Sequence, residues 1–195
     1  MLFINGKPLS LRNMSKFNHP NDGTRSLFGS VLVVEVIEAI RDWRDATSSA
    51  GVLIGAVALC YYVKLRQTSD ADFLFPLAED IPAEVPGFKR ASATTFVHQK
   101  TLIQIDVLVA SAIGLTSELA DAIVSAAIEV DGFKVGSREG LIAMKLGRFK
   151  LRDQADIAGL LQLGPVDLRP FPLDERQRRN FETVVIAAEK ENVRE

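Results

Sequence analysis

Residues 51–75 read GVLIGAVALCYYVKLRQTSDADFLF, and this stretch decides what fold the chain can adopt. An apolar run of strand length, 51–54, ends at Gly55, and the stretch 56–64 that follows is predicted to be a helix. The next run, 70–75, is predicted to be a strand, and it carries two aspartates separated by one residue. Because strand side chains alternate between faces, Asp70 and Asp72 project to the same side.

Outward from this stretch, helical and strand patterns alternate, which predicts a mixed sheet with helices packed on it. Residues 1–29 are predicted to be an irregular arm with one short strand at 2–5. The amphipathic pattern from Val33 to Arg44 predicts a helix before the first strand of the sheet. Further along we expect a loop or short helix at 76–87, a hairpin of strands 94–98 and 102–109, a helix from 116 to about 130, a strand at 133–135, and helices at 137–148, 151–163 and 173–189.

The fold class predicted from this order is α/β (α+β), a mixed sheet flanked by helices with an N-terminal amphipathic helix and C-terminal helices. Residues 30–165 are expected to form the main domain, between the arm 1–29 and a C-terminal helical extension, 166–195. A chain of 195 residues that is 47% hydrophobic can bury one sizeable core without metal or disulfide staples.

Composition excludes several classes of protein. The single cysteine, Cys60, allows no internal disulfide, and together with the lack of a secretion signal it predicts a cytoplasmic protein. The longest apolar stretch, 51–63, is shorter than the roughly 20 residues of a membrane-spanning helix, so no membrane partner is expected. The sequence has no Walker-type phosphate loop and no G-x-G-x-x-G, and its two histidines have no ligand-type residues at zinc spacing.

A third carboxylate, Asp106, interrupts the apolar strand LIQIDVLV at 102–109, and a charged residue in such a strand needs a partner. If this strand pairs beside 70–75, Asp70, Asp72 and Asp106 face one point. Like charges repel unless a cation lies between them, and carboxylate oxygens suit Mg²⁺ or Mn²⁺. Gly55 lets a phosphate approach the backbone at the start of the following helix. The pattern therefore predicts a metal site of the kind that two-metal phosphoryl transfer requires.

These residues resemble the minimal nucleotidyltransferase fold, and within it the abortive-infection nucleotidyltransferases of the AbiEii type. The resemblance covers about residues 51–163. The segment EGLIAMKLGR, 139–148, is similar to the lysine-bearing helix of the family, and RDQADI, 152–157, is similar to its Arg-Asp-x-x-Asp element. The matching positions are Gly55 at the first glycine of the motif, Arg66 and Thr68 at its Arg-x-Thr, Asp70 and Asp72 at the metal pair, Asp106 at the third acid, Lys145 at the lysine, and Arg152, Asp153 and Asp156 at the last element.

The resemblance implies a metal-dependent enzyme that moves a nucleoside monophosphate from an NTP to an RNA or protein acceptor. It implies that Asp70, Asp72 and Asp106 bind Mg²⁺ or Mn²⁺, that Asp106 also takes the acceptor proton, and that Lys145 neutralises the triphosphate. The nucleotide-binding residues that it implies are Gly55, Ala56, Arg66, Thr68, Arg152 and Asp153. A role as a toxin or phage-defence component, with RNA such as tRNA as acceptor and a cognate antitoxin as partner, is a further implication of the resemblance.

Local charge gives a separate indication. Although the formal net charge is only −2, residues 133–152 carry a basic cluster that suits phosphate groups. Its members are Lys134, Arg138, Lys145, Arg148, Lys150 and Arg152, against the single acid Glu139.

Simpler interpretations remain open for each residue. Asp70 and Asp72 can lie at a solvated strand edge, Asp106 can be an exposed hairpin residue, and Lys145 can face solvent on its helix. Asp153 and Asp156 can serve only to cap their helix or to pair with a neighbouring arginine.

Two departures from the family pattern favour an alternative function, a catalytically impaired binding or regulatory module with the same fold. Ala56 stands where the family has Gly or Ser. The family also often carries an acid in the lysine-bearing helix, and here that acid is represented only by Glu139, six residues before Lys145. A purely structural interaction domain is a third interpretation.

Overall fold

The structure is a computed structural model that describes residues 3–4, 7–8, 34–47, 51–63 and 68–192. The described residues form six α-helices: α1 (Val34–Thr47), α2 (Gly55–Tyr62), α3 (Ser117–Ser125), α4 (Arg138–Arg148), α5 (Leu151–Leu161) and α6 (Glu175–Asn192). The strands are β1 (Phe3–Ile4), β2 (Lys7–Pro8), β3 (Val52–Ile54), β4 (Asp70–Phe75), β5 (Phe88–Arg90), β6 (Thr95–His98), β7 (Gln104–Val109), β8 (Ile128–Val130) and β9 (Phe133–Val135). Short 3-10 turns lie at Ala78–Asp80 and Ala110–Ile113.

Seven of these strands form one mixed sheet in the order β5-β6-β7-β4-β3-β9-β8. The central strand β4 runs parallel to β7 and antiparallel to β3, while β1 and β2 form a separate antiparallel pair. The predicted class, a mixed sheet flanked by helices, is confirmed. The pairing of β4 with β7 also brings together the two segments on which the predicted carboxylates lie.

One face of the sheet is covered by α1 through aromatic packing. The buried Trp43 ring lies 5.9 Å from the Phe73 ring of β4, 5.3 Å from Phe88 of β5 and 5.1 Å from Phe96 of β6. Because Phe73 alternates with Asp72 along β4, the aspartates project from the opposite face. The predicted amphipathic helix is therefore confirmed. It packs on the face of the sheet opposite the aspartates and does not cover them.

Helices α3 and α4 begin next to capping residues at positions 116 and 137, where the sequence predicts that these helices start. Thr116 accepts a hydrogen bond from the Leu119 N–H at 3.2 Å, and Ser137 accepts one from the Gly140 N–H at 3.1 Å. The helix α6 packs on α4, where the Asn180 side chain donates to the Leu146 carbonyl at 3.0 Å. The α6 side chains Phe181, Val184 and Val185 are buried in the same core as the sheet.

One predicted helix is too long. The pattern predicted a helix from 116 to about 130, but α3 ends at Ser125 and Ile128–Val130 forms β8. The reason is the two-residue turn Asp131-Gly132, whose positive φ angles of 51° and 78° fit a hairpin turn that joins β8 to the predicted strand 133–135. The apolar residues before this turn are therefore part of a hairpin.

Other boundaries differ less. The strand β5 was not predicted. The segment 76–87 was expected to be a loop or a short helix, and it contains a short 3-10 turn at Ala78–Asp80. The final helix was expected at 173–189, and it runs from Glu175 to Asn192. In the arm, β1 falls inside the predicted strand 2–5, and the rest of 1–29 lies outside the described residues apart from β2.

Within the part of the chain that the structure describes, no helix combines the length and the apolar character needed to cross a membrane.

Candidate functional site

The candidate site is a group of carboxylates on the face of the sheet opposite α1. Asp72 of β4 lies directly across from Asp106 of β7, and Asp70 lies across from Gln104. Residues paired in this way point to the same face of a sheet, so all three predicted carboxylates share one face. Asp70 is exposed, while Asp72 and Asp106 are half-buried. The structure therefore places Asp106 beside the other two acids and not in an exposed hairpin loop.

Crowding of these carboxylates changes the acidity of Asp72. Burial, followed by the nearby negative charges of Asp70 and Asp106, raises the pKa of Asp72 from its ordinary value to about 6. The positive charges of Arg148 and Lys145 act in the opposite direction. The β4 carboxylates are thus within electrostatic reach of two cations on α4, and the site carries excess negative charge that a bound cation would relieve.

Gly55 is required at the turn between β3 and α2. Its φ is +64°, and a Cβ atom added there would lie 1.9 Å from the Oδ2 atom of Asp72. Only glycine accommodates both the left-handed backbone and the close carboxylate. The space over Gly55, which we expected a phosphate to approach, is therefore occupied by the Asp72 side chain. Ala56, the next residue, is partly exposed in the first turn of α2.

Asp106 is held by two neutral side chains that the sequence analysis did not single out. Thr95 Oγ1 of β6 donates to Asp106 Oδ1 at 2.9 Å. Gln104 Nε2, two residues before Asp106 on β7, lies 3.0 Å from Oδ1 and 2.9 Å from Oδ2. The signal for Gln104 was available, because alternation places it on the face of Asp106, but Thr95 required knowledge of the β6–β7 register.

Asp70 has a local partner. Thr68 is buried, and its Oγ1 atom lies 2.5 Å from Asp70 Oδ1 and 3.2 Å from the Asp70 carbonyl oxygen. Thr68 therefore orients an acid of the site, and its contact with a nucleotide stays a prediction. Arg66, the other member of the Arg-x-Thr pair, lies outside the described residues.

Lys145 belongs to a buried charged cluster at the junction of α4 and α5. Its side chain is only 6% exposed, and its Nζ atom lies 2.7 Å from Asp156 Oδ2 and 3.5 Å from Asp153 Oδ1. Asp153 also pairs with Arg148 at 3.2 Å and accepts a hydrogen bond from the Lys150 N–H at 3.1 Å. Lys145 is thus not a solvent-facing lysine. Asp153 pairs with an arginine and caps the start of α5, as its two interpretations expected, whereas the partner of Asp156 is Lys145.

The basic cluster is divided between paired and exposed residues. Arg138 pairs with Glu139 at 2.9 Å and contacts the Pro165 carbonyl, so its charge is largely compensated. Lys150 and Arg152 are exposed, and in the described part of the chain Arg152 has neither a hydrogen bond nor an ion pair. Arg148 is 56% exposed. Apart from the exposed Lys134 of β9, the available positive charge of the cluster therefore lies at the turn between α4 and α5.

The donor atoms fit a hard divalent cation, but the described residues do not supply a complete set of ligands. Across residues 34–47, 51–63 and 68–192, no three His, Cys, Asp or Glu side chains are grouped closely enough to hold a metal ion by themselves. Mg²⁺ is commonly bound through one or two carboxylates together with water and substrate phosphates. The facing pair Asp72 and Asp106 provides that partial set.

Compared with known proteins, the chain matches no protein-family model and no curated protein.

Proposed function

We propose that the protein is a metal-dependent nucleotidyltransferase, which transfers a nucleoside monophosphate from an NTP to a hydroxyl group. The observation that carries this proposal is the pairing of Asp72 with Asp106 on adjacent parallel strands, with Asp70 on the same face. The raised pKa of Asp72 supports it, because a site that crowds negative charge in this way is suited to a cation.

Asp72 and Asp106 would hold Mg²⁺ or Mn²⁺, with Asp70 beside them. Such an ion supplies charge neutralisation on the phosphates of the nucleotide. Arg148, on the carboxylate side of α4 and more than half exposed, is the cation best placed to meet the triphosphate. Lys145 adds positive potential from its buried position, and Asp153 and Asp156 hold it there.

The proposed reaction forms one bond and breaks one. The acceptor oxygen attacks the α-phosphorus of the NTP, the bond between that phosphorus and the bridging oxygen breaks, and pyrophosphate leaves. The acceptor proton passes to the Asp106 carboxylate. Positive charge from Arg148 and Lys145 stabilises the charge that develops on the leaving pyrophosphate.

RNA is the acceptor that surface charge favours over a protein. Arg148, Lys150 and Arg152 line the turn between α4 and α5, and Arg176 of α6 reaches the Gly147 carbonyl at 3.4 Å. These four residues are called the α4–α5 basic surface. One of them, Arg148 of α4, is a cation whose charge acts on Asp72. Lys150→Ala should reduce the slope of the logarithm of the RNA-binding constant against the logarithm of the salt concentration by roughly one, as expected for the loss of one phosphate contact. The exposed Lys89 of β5, at the far edge of the sheet, provides the matched control.

Label transfer tests the activity. The protein is incubated with each α-labelled NTP, Mg²⁺ or Mn²⁺, and either total RNA or total protein, and labelled products are separated by size. We expect metal-dependent labelling by the wild type and by Asp121→Asn, a variant of an exposed acid on α3. The double variant Asp72→Asn/Asp106→Asn should give none. Labelling of protein in place of RNA would identify a protein acceptor.

Equal labelling by wild type and the double variant would contradict the assignment of the site. Absence of labelling from the wild type with every NTP, metal and acceptor would contradict the proposed activity.

A catalytically impaired binding module is the second candidate, and two observations favour it. The Asp72 carboxylate occupies the space over Gly55, and Lys145 is already paired with two carboxylates. Label transfer distinguishes the candidates, because such a module would give none under conditions where calorimetry shows that it binds an NTP with Mn²⁺.

A toxin role would follow from transfer to an essential RNA in the cytoplasm. Induced expression in a bacterial host should then stop growth, and Asp72→Asn should relieve the arrest. Co-purification of a second protein that restores growth would identify the antitoxin. Equal growth of wild type and variant would contradict the toxin role and leave the transferase proposal standing.

A further inference from the structure

We infer that Thr95 and Gln104 are positioning residues that fix how Asp106 binds the metal ion; this inference rests on the proposed function. Neither residue belongs to the pattern on which that function was proposed. Both donate to Asp106, one from β6 and one from β7 itself.

The two side chains approach Asp106 from different directions. The strand β6 runs antiparallel to β7 with Thr95 directly opposite Asp106, so Thr95 lies on the side away from Asp72. Gln104 precedes Asp106 by two residues on the same face of β7 and faces Asp70 across the strand pair. Thr95 therefore holds Asp106 from one side and Gln104 holds it from one end, while no donor from the described residues contacts it on the side toward Asp72.

The two carboxylate oxygens of Asp106 do not accept hydrogen bonds equally. Oδ1 accepts from Thr95 at 2.9 Å and lies 3.0 Å from Gln104 Nε2, whereas Oδ2 lies 2.9 Å from the same Nε2 atom and has no other hydrogen-bond partner in the described segments. Since one amide nitrogen is shared between the two oxygens, Oδ1 receives more hydrogen-bond donation than Oδ2 does. Asp106 should thus bind the metal ion mainly through Oδ2, in a fixed orientation beside Asp72.

Gln104 is exposed, so its contact with Asp106 competes with water. An exposed glutamine amide loses side-chain entropy when it is held in one place, and solvent would satisfy it equally well. Outer hydrogen bonds of this kind typically change metal affinity by 10- to 100-fold when they are removed.

Calorimetric titration with Mn²⁺ alone tests the inference without relying on turnover. We expect Thr95→Val and Gln104→Leu each to weaken Mn²⁺ binding by about 10- to 100-fold. Thr95→Ser keeps the hydroxyl and should restore affinity close to wild type. Thr94→Val is the matched control, because the Thr94 hydroxyl has no hydrogen-bond partner among the described residues. It should bind Mn²⁺ as the wild type does.

A double-mutant cycle separates positioning from general damage to the sheet. In an Asp106→Asn background, Thr95→Val should produce no further loss of Mn²⁺ affinity, because the group that it positions has changed. Urea unfolding checks that the variants compared are folded. If Thr95→Val fails to fold, Gln104→Leu, which alters an exposed side chain, decides the question by the same titration.

The outcomes distinguish the inference from the function on which it rests. If the wild type binds Mn²⁺ and the two variants bind it equally well, the positioning role is wrong and the metal site stands. If the wild type binds no Mn²⁺, the metal-dependent function itself is contradicted, and the positioning role falls with it.

Discussion

The backbone of Gly55 lies so close to the Asp72 carboxylate that a residue with a side chain does not fit there. Substituting Gly55 therefore tests how rigidly the Asp72 carboxylate is held. A Cβ at Gly55 would lie 1.9 Å from Asp72 Oδ2 in a backbone with φ +64°. We expect Gly55→Ala to lower the free energy of unfolding by more than the roughly 1–2 kcal/mol that the left-handed backbone alone costs an alanine. Urea unfolding at pH 7 provides the measurement.

Gly114 is the matched control for this substitution. It has a similar φ, +73°, but a Cβ there would meet nothing within 4 Å. Gly114→Ala should therefore show the backbone cost alone, and the difference between the two variants isolates the contact with Asp72. In an Asp72→Ala background that difference should shrink. Equal losses in the two single variants would show that the Asp72 carboxylate moves away without cost.

Asp72 should make the metal-free protein less stable at high pH. Its folded pKa of about 6 exceeds its ordinary value of 3.8, so the folded state holds the proton more tightly than the unfolded state does. The stabilisation from that proton is fully present below pH 3.8 and is lost as pH rises through about 6. The loss is at most about 3 kcal/mol, at 1.36 kcal/mol per unit of pKa, and solvent screening reduces it.

Asp72→Asn removes this titration. Unfolding by urea at pH 4, 5, 6, 7 and 8 in the presence of a chelator should show the wild type losing stability relative to Asp72→Asn across this window. Adding Mn²⁺ at pH 8 should restore the wild type and leave the variant unchanged. A constant difference between the two proteins from pH 4 to pH 8 would show that Asp72 keeps an ordinary pKa.

The junction of α4 and α5 depends on its buried lysine. Lys145, Asp153 and Asp156 are each no more than 5% exposed, and Lys145 is the cation that both acids contact. We expect Lys145→Met to cost about 3–5 kcal/mol of unfolding free energy, because it leaves buried carboxylates without a full counter-charge. Chemical denaturation followed by circular dichroism measures the loss.

Two further variants interpret that result. Lys145→Met/Asp156→Leu removes both partners of the 2.7 Å pair and should recover most of the stability, since Arg148 still pairs with Asp153. Arg152→Met alters an exposed cation on the same junction and should change stability by no more than about 0.5 kcal/mol. If Lys145→Met were as stable as the wild type, the ion pairs of Lys145 would not stabilise the junction of α4 and α5.

The local part of the fold was accessible from the sequence, and the exceptions have a physical cause. Side-chain alternation is a property of a single strand, so the shared face of Asp70 and Asp72 was predictable, as were the caps Thr116 and Ser137. The Asp131-Gly132 turn was also a local signal, because that dipeptide favours a two-residue hairpin. It was missed since the apolar residues before it continue the helical pattern of α3.

The site required information that no local pattern contains. Asp72 and Asp106 lie side by side because β4 and β7 pair in parallel with a particular register. The sequence predicted this arrangement only on the condition that the two strands pair. The hydrogen bond from Thr95 depends in addition on the register of β6. Ion pairing of Lys145 with Asp156 depends on how α5 packs against α4. Such contacts are fixed by the whole molecule, through burial and register together.

The segment 166–195, which the sequence analysis treated as an extension of the main domain, contributes to the core of the whole molecule. Its buried apolar side chains are Leu168, Phe171, Leu173, Phe181, Val184 and Val185. At about 1.5–3 kcal/mol for each buried large apolar side chain, they contribute on the order of 10 kcal/mol, which is comparable with the total stability of a typical domain. We therefore expect a chain that ends at residue 165 to be unfolded, as measured by near-UV circular dichroism.

A point substitution tests the same idea in the full chain. Phe181→Ala should lower the free energy of unfolding by about 3–5 kcal/mol, because it opens a cavity between α6 and the helices on which it packs. Glu182→Ala, one residue further along the exposed side of α6, should stay within about 0.5 kcal/mol of wild type. If residues 1–165 alone gave a native spectrum and a cooperative transition, 166–195 would be a separable extension.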